Sequence, residues 1–538
     1  MGIAGTPVPS VSIGQNFLGS TYNNGANSGT SSAIPPDANG AVGPRHFVEF
    51  INGSFAVYNK TNGVNVKRVT DVHFWSTAGV TISPDDVVTD PRIIYDPGSQ
   101  RWFASMVDAN GSGVTDPSLL ANDFLLAVST SSDPTGPWHG FLFQADQDNG
   151  YFADFPTLGV DSNGVYLSGD FYHGETSPIG PGLVSFPKAD LVAATPTIAN
   201  RTWFGVMDYA ERGQVLQPVT CFDGTASGKI LSITDIGNDS DPHSNLVSFA
   251  VQSSGGTTAT LSSVTFIPTL PWVVPDNAIL GAPAFAATQP DGTDTLQAND
   301  ARLSAKVYAV GGILYAVHNT ELNNRIAIRW YRVRAADNVL LESGTIADPN
   351  LDLFFPSIAV NPYGVVVIAF NGSGPGTLIS SFAMAGQTIN GITSFGSRVL
   401  LQAGLVSFHG DDELIGELLG TPTLSRWGDY SATSVDPSDP SRFWTIQMFP
   451  SDSANSDVWS TQITELLTTT PVFLGLQRAG TNVTISWPIV SGYQLQSVTN
   501  VSPPAAWSNV SQPAVTNGSQ LVVTLPASAK QQFFRLKK

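Results

Sequence analysis

The stretch that decides the fold is DFPTLGVDSNGVYLSGDFYH, at residues 154–173. It consists of a run of small and apolar residues, a turn rich in Asp, Asn and Gly, and a second apolar run. This arrangement is typical of two short antiparallel strands joined by a turn. A single hairpin occurs in many folds, so the fold class depends on whether the hairpin is repeated.

The hairpin is repeated along most of the chain. Its other six copies start at Pro35, Asp90, Gln217, Ala301, Phe354 and Asp429, of which the copies at Pro35 and Ala301 are the least regular. Each copy is followed by a third strand-like run and by a variable stretch that can supply a fourth strand. We therefore predict an all-β fold, a seven-bladed β-propeller, because sheets packed radially cover each other and leave only short edges.

The repeat also predicts the domain boundaries. We expect the propeller to span residues 33–466, and residues 1–32 to form an extended arm or a strand that completes the ring. From residue 467 to 538 the pattern changes to short strand-like segments in which apolar and polar residues alternate, such as TNVTISW and QLVVTLP. Such segments are typical of a small β-sandwich.

Composition excludes several classes of function. The formal net charge of the 538 residues is −19, which opposes binding to nucleic acid or to anionic membrane surfaces. No apolar run approaches the ~20 residues of a membrane span. The single cysteine, Cys221, excludes an intrachain disulfide. Few lysines and many Asn, Thr and Gly residues lead us to expect a secreted or cell-surface protein whose signal peptide has been removed; the sequence does not indicate an oligomeric state.

Several motifs resemble a known family. PPDANGAVGPRHFVEFINGSFAVYNK, DPRIIYDPGSQRWFASM, FPTLGVDSNGVYL and RWGDYSATSVDP, which lie within about residues 33–465, resemble secreted bacterial proteins with sialidase-like β-propeller domains. The C-terminal segment ending in QQFFRLKK is similar to a module appended to exported proteins of Verrucomicrobia and related bacteria. The resemblance implies the propeller fold and, for the C-terminal module, a role in attachment or sorting.

The starts of the first strands of all repeats are expected to converge at one end of the central channel, where propellers usually bind ligands. Loops after the second strands reach the same end and bring, among others, Asp170 and Tyr172. The candidate catalytic residues are Asp37, Asp90, Asp154, His173, Glu175, Asp429 and Tyr430. The candidate substrate-binding residues are Arg92, Gln217, Arg302, His318, Arg426 and Trp427.

Three arginines at one end of a channel favour an anionic ligand, because guanidinium groups bind carboxylates and sulfates through paired hydrogen bonds. We therefore predict a polysaccharide or glycoconjugate ligand of acidic character. Carboxylates beside it would supply the acid and base of a glycoside hydrolase or a polysaccharide lyase. A non-catalytic glycan-binding or adhesion protein remains the alternative.

Two further interpretations stay open. Asp37, Asn39, Asp90 and Asp154 could together bind Ca²⁺, since calcium takes oxygen ligands in irregular geometry. Alternatively, the arginines and aspartates pair with each other to close the ring, and the aspartates cap turns. For Asp429 and Tyr430 we expect a place at the channel mouth rather than a structural one.

Overall fold

The computed structural model describes residues 9–25, 29–110, 117–174, 178–234, 236, 242–275, 286–292, 296–389, 391–410, 425–468, 474–489, 492–502, 505–517 and 520–537. Nearly all regular structure in these ranges is β-sheet. The helices are short: Asp71–Thr77, Lys188–Leu191, Tyr209–Arg212 and the 3-10 turn Pro117–Leu119. No helix in the described part of the chain has the length and apolarity needed to cross a membrane.

Residues 11–468 contain seven sheets of four or five strands, and each copy of the hairpin lies in a different sheet. Sheet 1 contains Asn39–Val42, His46–Ile51, Ser54–Asn59 and Asn65–Val69. Sheet 2 contains Asp86–Asp96, Arg101–Asn110, Asp123–Ser129 and Trp138–Gln144. Sheet 3 contains Phe152–Val160, Gly164–Tyr172, Pro178–Pro187 and Thr202–Val206. Sheet 4 contains Gln214–Pro218, Lys229–Ile233, His243–Gln252, Thr260–Leu261 and Thr265–Trp272.

The remaining sheets follow the same order. Sheet 5 contains Thr220–Cys221, Tyr308–Val310, Ile313–Glu321, Ile326–Arg334 and Val339–Ile346. Sheet 6 contains Asp352–Val360, Val365–Gly374, Thr377–Ile389, Ile392–Phe395 and Val399–Gln402. Sheet 7 contains Ala432–Val435, Arg442–Pro450, Trp459–Thr468 and, from the other end of the chain, Val11–Thr21.

Three smaller sheets complete the described structure. One joins Ala286–Ala287, Leu296–Gln297 and Ser425–Arg426. The C-terminal region has a sheet of Gly475–Ala479, Asn482–Pro488, Gln520–Pro526 and Val515–Asn517, and another of Ser508–Asn509, Gln494–Val498 and Phe533–Lys537. The two C-terminal sheets share one small core that includes Ile485, Trp487 and Leu495.

The turn chemistry explains why the hairpins form. In the copy that starts at Asp154, the Asp161 carboxylate accepts hydrogen bonds from the backbone N–H groups of Asn163 and Gly164, at 2.7 and 2.8 Å. In the copy that starts at Asp90, the Asp96 carboxylate accepts from the Gly98 N–H at 3.0 Å. An aspartate that bonds backbone N–H groups two and three residues later fixes the reversal of the chain. The Asp, Asn and Gly signature of the repeat therefore encodes the turn itself.

The first strands of the sheets lie side by side in chain order. The first strand of sheet 1 contacts that of sheet 2, the contacts continue around the molecule, and the first strand of sheet 7 contacts that of sheet 1. Sheets 4 and 5 are connected through Thr220–Cys221, which runs parallel to Tyr308–Val310. Aromatic side chains fill the spaces between sheets; between sheets 1 and 2, for example, Phe55 stacks on Phe74 with ring centroids 4.3 Å apart. With Thr220–Cys221 as the link between sheets 4 and 5, the contacts of the first strands thus form a closed cycle.

In six of the seven sheets, a non-glycine residue with positive φ lies within the first strand or on the segment that precedes it. These residues are Asp37, Asp90, Phe155, Val215, Asn299 and Phe355. In sheets 2, 3, 4 and 6 the register shifts at this point, as expected for a β-bulge. Bulky and β-branched residues such as Phe155 and Val215 adopt this conformation only at a cost in free energy. The strained backbone therefore recurs at the same end of the first strands.

Candidate functional site

Polar side chains from several sheets meet at this end of the first strands, which we call the mouth. The mouth consists of Asp37, Asp90, Asp154, Asp170, Asp300, Asp429, Arg302, Arg426 and Tyr172. The sequence predicts most of these residues at the mouth, because equivalent positions of the repeat face one another. Asp300 is an exception: the repeat in sheet 5 is aligned from Ala301, one residue too late to include it.

Three mouth carboxyl groups lie unusually close together. Asp37, Asp90 and Asp429 each contribute an oxygen atom that lies within 4.8 Å of the other two, and all three residues are buried. Asp37 accepts hydrogen bonds from the Asn52 side chain and from the Asp429 backbone N–H, both at 2.8 Å. Burial, followed by the charge of Asp429, raises the pKa of Asp37 to about 7. Burial and the neighbouring Asp37 also raise the pKa of Asp90 well above its usual value.

Both arginines of the mouth are bound by carboxylates of their own chain. Arg426 Nη2 lies 3.2 Å from Asp429 Oδ2, and its Nη1 donates to the Gln297 side chain at 2.8 Å. Arg302 donates from Nε and Nη2 to the two oxygens of Asp300, at 2.9 and 2.7 Å. An anionic ligand must therefore share each guanidinium group with an aspartate.

Asp154 and Asp170 form a second close pair of carboxyl groups. They are register partners on the first two strands of sheet 3, so their side chains lie on the same face. Asp170 Oδ1 accepts a hydrogen bond from the backbone N–H of Val215 at 3.2 Å, whereas Oδ2 is buried and has no hydrogen-bond partner. Burial raises the pKa of Asp170 to about 7, against the opposing effect of Arg302. Asp154 is less buried and its pKa is raised in the same direction, first by burial and then by Asp429.

The channel below the mouth is closed by Arg92 and Tyr430. Arg92 is 2% exposed, donates to the carbonyl oxygens of Pro156 and Ser304 at 2.7 and 2.9 Å, and lies 3.5 Å from the ring centroid of Tyr430. The Tyr430 hydroxyl donates to the carbonyl oxygen of Pro91 at 3.1 Å. Burial raises the pKa of Tyr430 well above its usual value, so the hydroxyl stays protonated.

This arrangement corrects the catalytic role predicted for Tyr430. The residue is packed between sheets, and its ring is covered by the side chain of Arg92 and by the edge-to-face contact with Phe155. Arg92 itself is predicted from the sequence to bind substrate, but its guanidinium group stacks on Tyr430 and bonds backbone carbonyl groups. Tyr430 and Arg92 therefore form the floor of the mouth.

Other predicted substrate-binding residues are enclosed. Trp427 is 0% exposed and donates from its indole to the Asn371 side chain at 3.0 Å, so it offers no stacking surface. Gln217 is buried and donates to the carbonyl oxygen of Leu303. His318 is enclosed by the rings of Trp272 and Tyr331, and burial lowers its pKa to about 3. Tertiary packing, which the repeat pattern does not encode, decides all three cases.

Of the two remaining predicted catalytic residues, the structure describes His173, which directly follows the second strand of sheet 3. His173 is exposed and packs edge-to-face against Tyr151 with ring centroids 5.9 Å apart. Its ring therefore packs on the aromatic residue that precedes the first strand of sheet 3. Glu175 lies outside the described residues.

The residues proposed for calcium are only partly compatible with a cation. In the described part of the chain, Asp37, Asp90 and Asp429 form the group whose oxygens are close enough to share an ion. Carboxylate oxygens at this spacing suit Ca²⁺. Asn39, however, accepts hydrogen bonds from the Lys306 ammonium and the Ile93 N–H, both at 3.1 Å. Because an ammonium group occupies its oxygen, Asn39 does not belong to a cation site.

The opposite ends of the first strands enclose a cavity of about 280 Å³. Its lining is mostly apolar and includes Ile94, Tyr95 and Val435. Of the carboxylates at its edge, Asp436 binds the Lys60 ammonium at 2.8 Å, and Asp223 accepts from the backbone N–H of Gly311 at 2.7 Å. These two carboxylates are therefore engaged by donors of the chain, whereas the pKa values of Asp37, Asp90 and Asp170 at the mouth are raised.

Comparisons with known proteins are weak. No protein-family model and no curated protein match the chain. Among solved structures, the chain is similar to a hypothetical selenium-binding protein from Sulfolobus tokodaii, with a TM-score of 0.39 and 10% identity over 67% of this chain and 76% of that one. It is similar to Trypanosoma rangeli sialidase, with a TM-score of 0.34 and 10% identity over 84% of each chain. It is also similar to an exo-β-1,3-galactanase from Clostridium thermocellum, with a TM-score of 0.29 and 10% identity over 96% of this chain and 100% of that one. At TM-scores this low, the similarities assign neither a fold nor an activity to this chain.

Proposed function

We propose that this protein is a carbohydrate-active β-propeller that binds a glycan at the mouth and hydrolyses it with mouth carboxyl groups. The seven sheets are the blades, and the two C-terminal sheets form a small β-sandwich. The observation that carries the proposal is the close approach of two carboxyl groups with different partners. Asp37 has a pKa of about 7, and its neighbour Asp429 is held in an ion pair by Arg426. Glycoside hydrolysis requires a carboxyl group that donates a proton and, beside it, a second carboxyl group that acts as nucleophile or base.

The roles follow from charge and spacing. Asp37 keeps a proton near neutral pH and would donate it to the oxygen of the leaving sugar. Asp429 would attack the anomeric carbon, and water would then release the bound sugar. The spacing of at most 4.8 Å between these carboxyl oxygens is close to the roughly 5–5.5 Å of glycosidases that form a covalent intermediate. Asp154, on sheet 3, is the least buried of the aspartates predicted from the sequence and would bind a sugar hydroxyl.

Arg302 and Arg426 supply the preference for an acidic sugar. Both side chains are partly exposed, at 18% and 15%, and each shares its guanidinium group with an aspartate. A uronic or nonulosonic acid would bind the guanidinium group of Arg302 through paired hydrogen bonds, in competition with Asp300. Because the arginines are already neutralised, we expect a modest preference for acidic glycans over neutral ones.

The test is a screen of the purified chain on sialylated, uronate-containing, sulfated and neutral oligosaccharides, with products identified by mass spectrometry. A hydrolysis product from any class, absent with Asp429→Asn, would support the proposal. An unsaturated product would assign a lyase reaction instead. Asp439→Asn is the matched control, because Asp439 also pairs with an arginine three residues away, Arg442, but on the exposed surface. Absence of turnover on every class would refute the catalytic proposal.

The burial of Asp37 and Asp90, which are 1% and 5% exposed, favours a second candidate function. A site whose acid is this enclosed suits recognition of a glycan without cleavage. In that case the same oligosaccharides would bind in calorimetry and remain intact, and Arg302→Gln would weaken binding. Cleavage of any bound oligosaccharide would exclude this candidate.

Two accessory properties complete the proposal. In the candidate function without cleavage, Ca²⁺ would be held by Asp37, Asp90 and Asp429 and would lower their mutual repulsion, because a bound cation keeps Asp37 ionised and excludes it as a proton donor. Calorimetric titration with CaCl₂, and its loss in Asp90→Asn, tests this. Export to the cell surface is supported by the acidic, lysine-poor composition. Fractionation of the native host would check it.

A further inference from the structure

Two buried cations lie next to each other below the mouth. Lys306 is 8% exposed, and its ammonium donates to Asn39 Oδ1 at 3.1 Å. The same Asn39 oxygen accepts the backbone N–H of Ile93, the residue that follows Arg92, also at 3.1 Å. Arg92 in turn bonds the carbonyl oxygen of Ser304, two residues before Lys306. Sheet 2 and the segment leading into sheet 5 thus bring both cationic side chains to one place inside the channel.

These cations have donors left over. Arg92 Nη2 is buried and has no hydrogen-bond partner. Lys306 has three N–H donors, and the structure gives one of them an acceptor, Asn39. A buried guanidinium N–H that lacks an acceptor is costly, and such groups in native proteins usually bind an ion or a water molecule. The unpaired donors indicate a ligand that accepts hydrogen bonds.

The positive charges of Arg92 and Lys306 also lack a neighbouring negative charge. Within the described ranges, neither Arg92 nor Lys306 has a carboxylate oxygen within 4.0 Å. The nearby Asp90 has a pKa raised well above its usual value, which favours its uncharged form. Burial, together with the charge of Arg92, lowers the pKa of Lys306 to about 7. A buried pair of cations is stable when a counter-ion accompanies it.

We propose that the channel of this protein binds a small inorganic anion, chloride in the test below, between Arg92 Nη2 and the Lys306 ammonium. The anion would accept hydrogen bonds from the unpaired N–H groups. It would also neutralise the positive charge of Arg92 and Lys306, whose hydrogen bonds link sheets 1, 2 and 5. It lies below the floor formed by Arg92 and Tyr430, so it is distinct from the glycan site and does not depend on the proposed function.

The experiment measures the melting temperature in sodium chloride and in sodium gluconate at equal ionic strength, since gluconate is a much larger anion than chloride. An anion bound to the folded state raises the melting temperature with its concentration, and we expect a rise of about 2 °C or more in chloride. Lys306→Met should abolish the difference. Lys229→Met is the matched control, because the Lys229 ammonium also donates to an asparagine oxygen, Asn338 Oδ1 at 2.8 Å, but outside the channel.

A second measurement keeps the proposal testable if Lys306→Met does not fold. Crystals of the unaltered chain soaked in sodium bromide should show an anomalous peak within hydrogen-bond distance of Arg92 Nη2 and Lys306 Nζ. Equal melting temperatures in chloride and gluconate, or density at this position without anomalous signal, would show that water alone binds there and would overturn the proposal.

Discussion

Two groups of buried carboxylates in this molecule differ in how many hydrogen-bond donors surround them. The seam between sheets 1 and 7 contains Glu49, which is 0% exposed and accepts hydrogen bonds from the Ser20 hydroxyl and the Tyr58 hydroxyl, both at 2.8 Å. It also accepts from the Ser20 backbone N–H and from Thr461, and Arg68 Nη1 lies 3.9 Å away. The mouth contains Asp37, Asp90 and Asp170, which have fewer donors and crowd against other carboxylates.

We interpret the difference as one between carboxylates buried for structure and the carboxyl groups of the proposed site. At the seam, donors from the N-terminal strand, from sheet 1 and from Trp459–Thr468 converge on one carboxylate, which holds the two ends of the chain together. At the mouth, the scarcity of donors and the mutual repulsion raise the pKa values of the carboxyl groups. Groups with such perturbed pKa values are concentrated at functional sites. Each prediction below compares the two groups.

Removal of the seam carboxylate should have the largest effect. Glu49→Ala leaves the Ser20 and Tyr58 hydroxyls without this acceptor and Arg68 without a nearby negative charge, and we expect the free energy of unfolding to fall by about 3–5 kcal/mol. Urea unfolding measures the loss, and proteolysis should cleave the released N-terminal strand first. The control is Glu211→Ala, whose side chain is 63% exposed and whose ion pair with Arg212 should contribute little. If the free energy of unfolding falls no more than in the control, Glu49 does not stabilise the seam, and the proposed difference between the seam and the mouth is wrong.

At the mouth, loss of a carboxylate should stabilise the protein at high pH. The pKa of Asp170 is about 7 in the folded chain and ~4 in the unfolded chain, so its contribution to stability falls as the pH rises from about 4 to about 7. Asp170→Asn should therefore unfold like the unaltered chain near pH 4 and be more stable, on the order of 3 kcal/mol, at pH 8. Urea unfolding at both pH values tests this. The exposed Asp85→Asn should show no such pH dependence, and a pH-independent difference for Asp170→Asn would contradict the assignment.

Asp429 should show both a structural and a functional effect. It accepts hydrogen bonds from Arg426 and from the Asn299 side chain at 3.0 Å, and an asparagine would replace one oxygen by a donor. We expect Asp429→Asn to lower stability by about 1–3 kcal/mol and to abolish glycan cleavage. Thermal unfolding and the product assay are read on the same sample. Full activity with reduced stability would show that Asp429 stabilises the fold and takes no part in cleavage.

The smallest effect is expected for the floor of the mouth. Tyr430→Phe removes the hydrogen bond to Pro91 and keeps the ring under Arg92, so stability should fall by about 0.5–1.5 kcal/mol. Turnover or binding at the mouth should be unchanged. Tyr363→Phe, at a partly exposed hydroxyl, provides the comparison. Loss of turnover without loss of stability would show that the Tyr430 hydroxyl takes part in catalysis.

Much of the candidate site follows from the repeat. Because equivalent positions of each hairpin face one end of the first strands, the repeat alone is enough to predict that Asp37, Asp90, Asp154 and Asp429 lie close together. It misses Asp300, whose repeat is irregular, and Lys306, a lysine in an apolar run that carries no motif. The protonation states of these carboxyl groups and their exposure to solvent do not follow from the repeat, because both depend on residues that are distant in the sequence.

The sequence by itself determined the local structure: alternating apolar residues and Asp–Gly turns specify the hairpins and the sheets, since these interactions join residues a few positions apart. Tertiary structure alone decided which polar groups are satisfied. Arg92 is covered by Tyr430, 338 residues later in the chain, and Glu49 is satisfied by Ser20 and Thr461 from opposite ends. Burial and hydrogen bonding depend on distances in space, and here those distances are set by how the first strands close into a cycle.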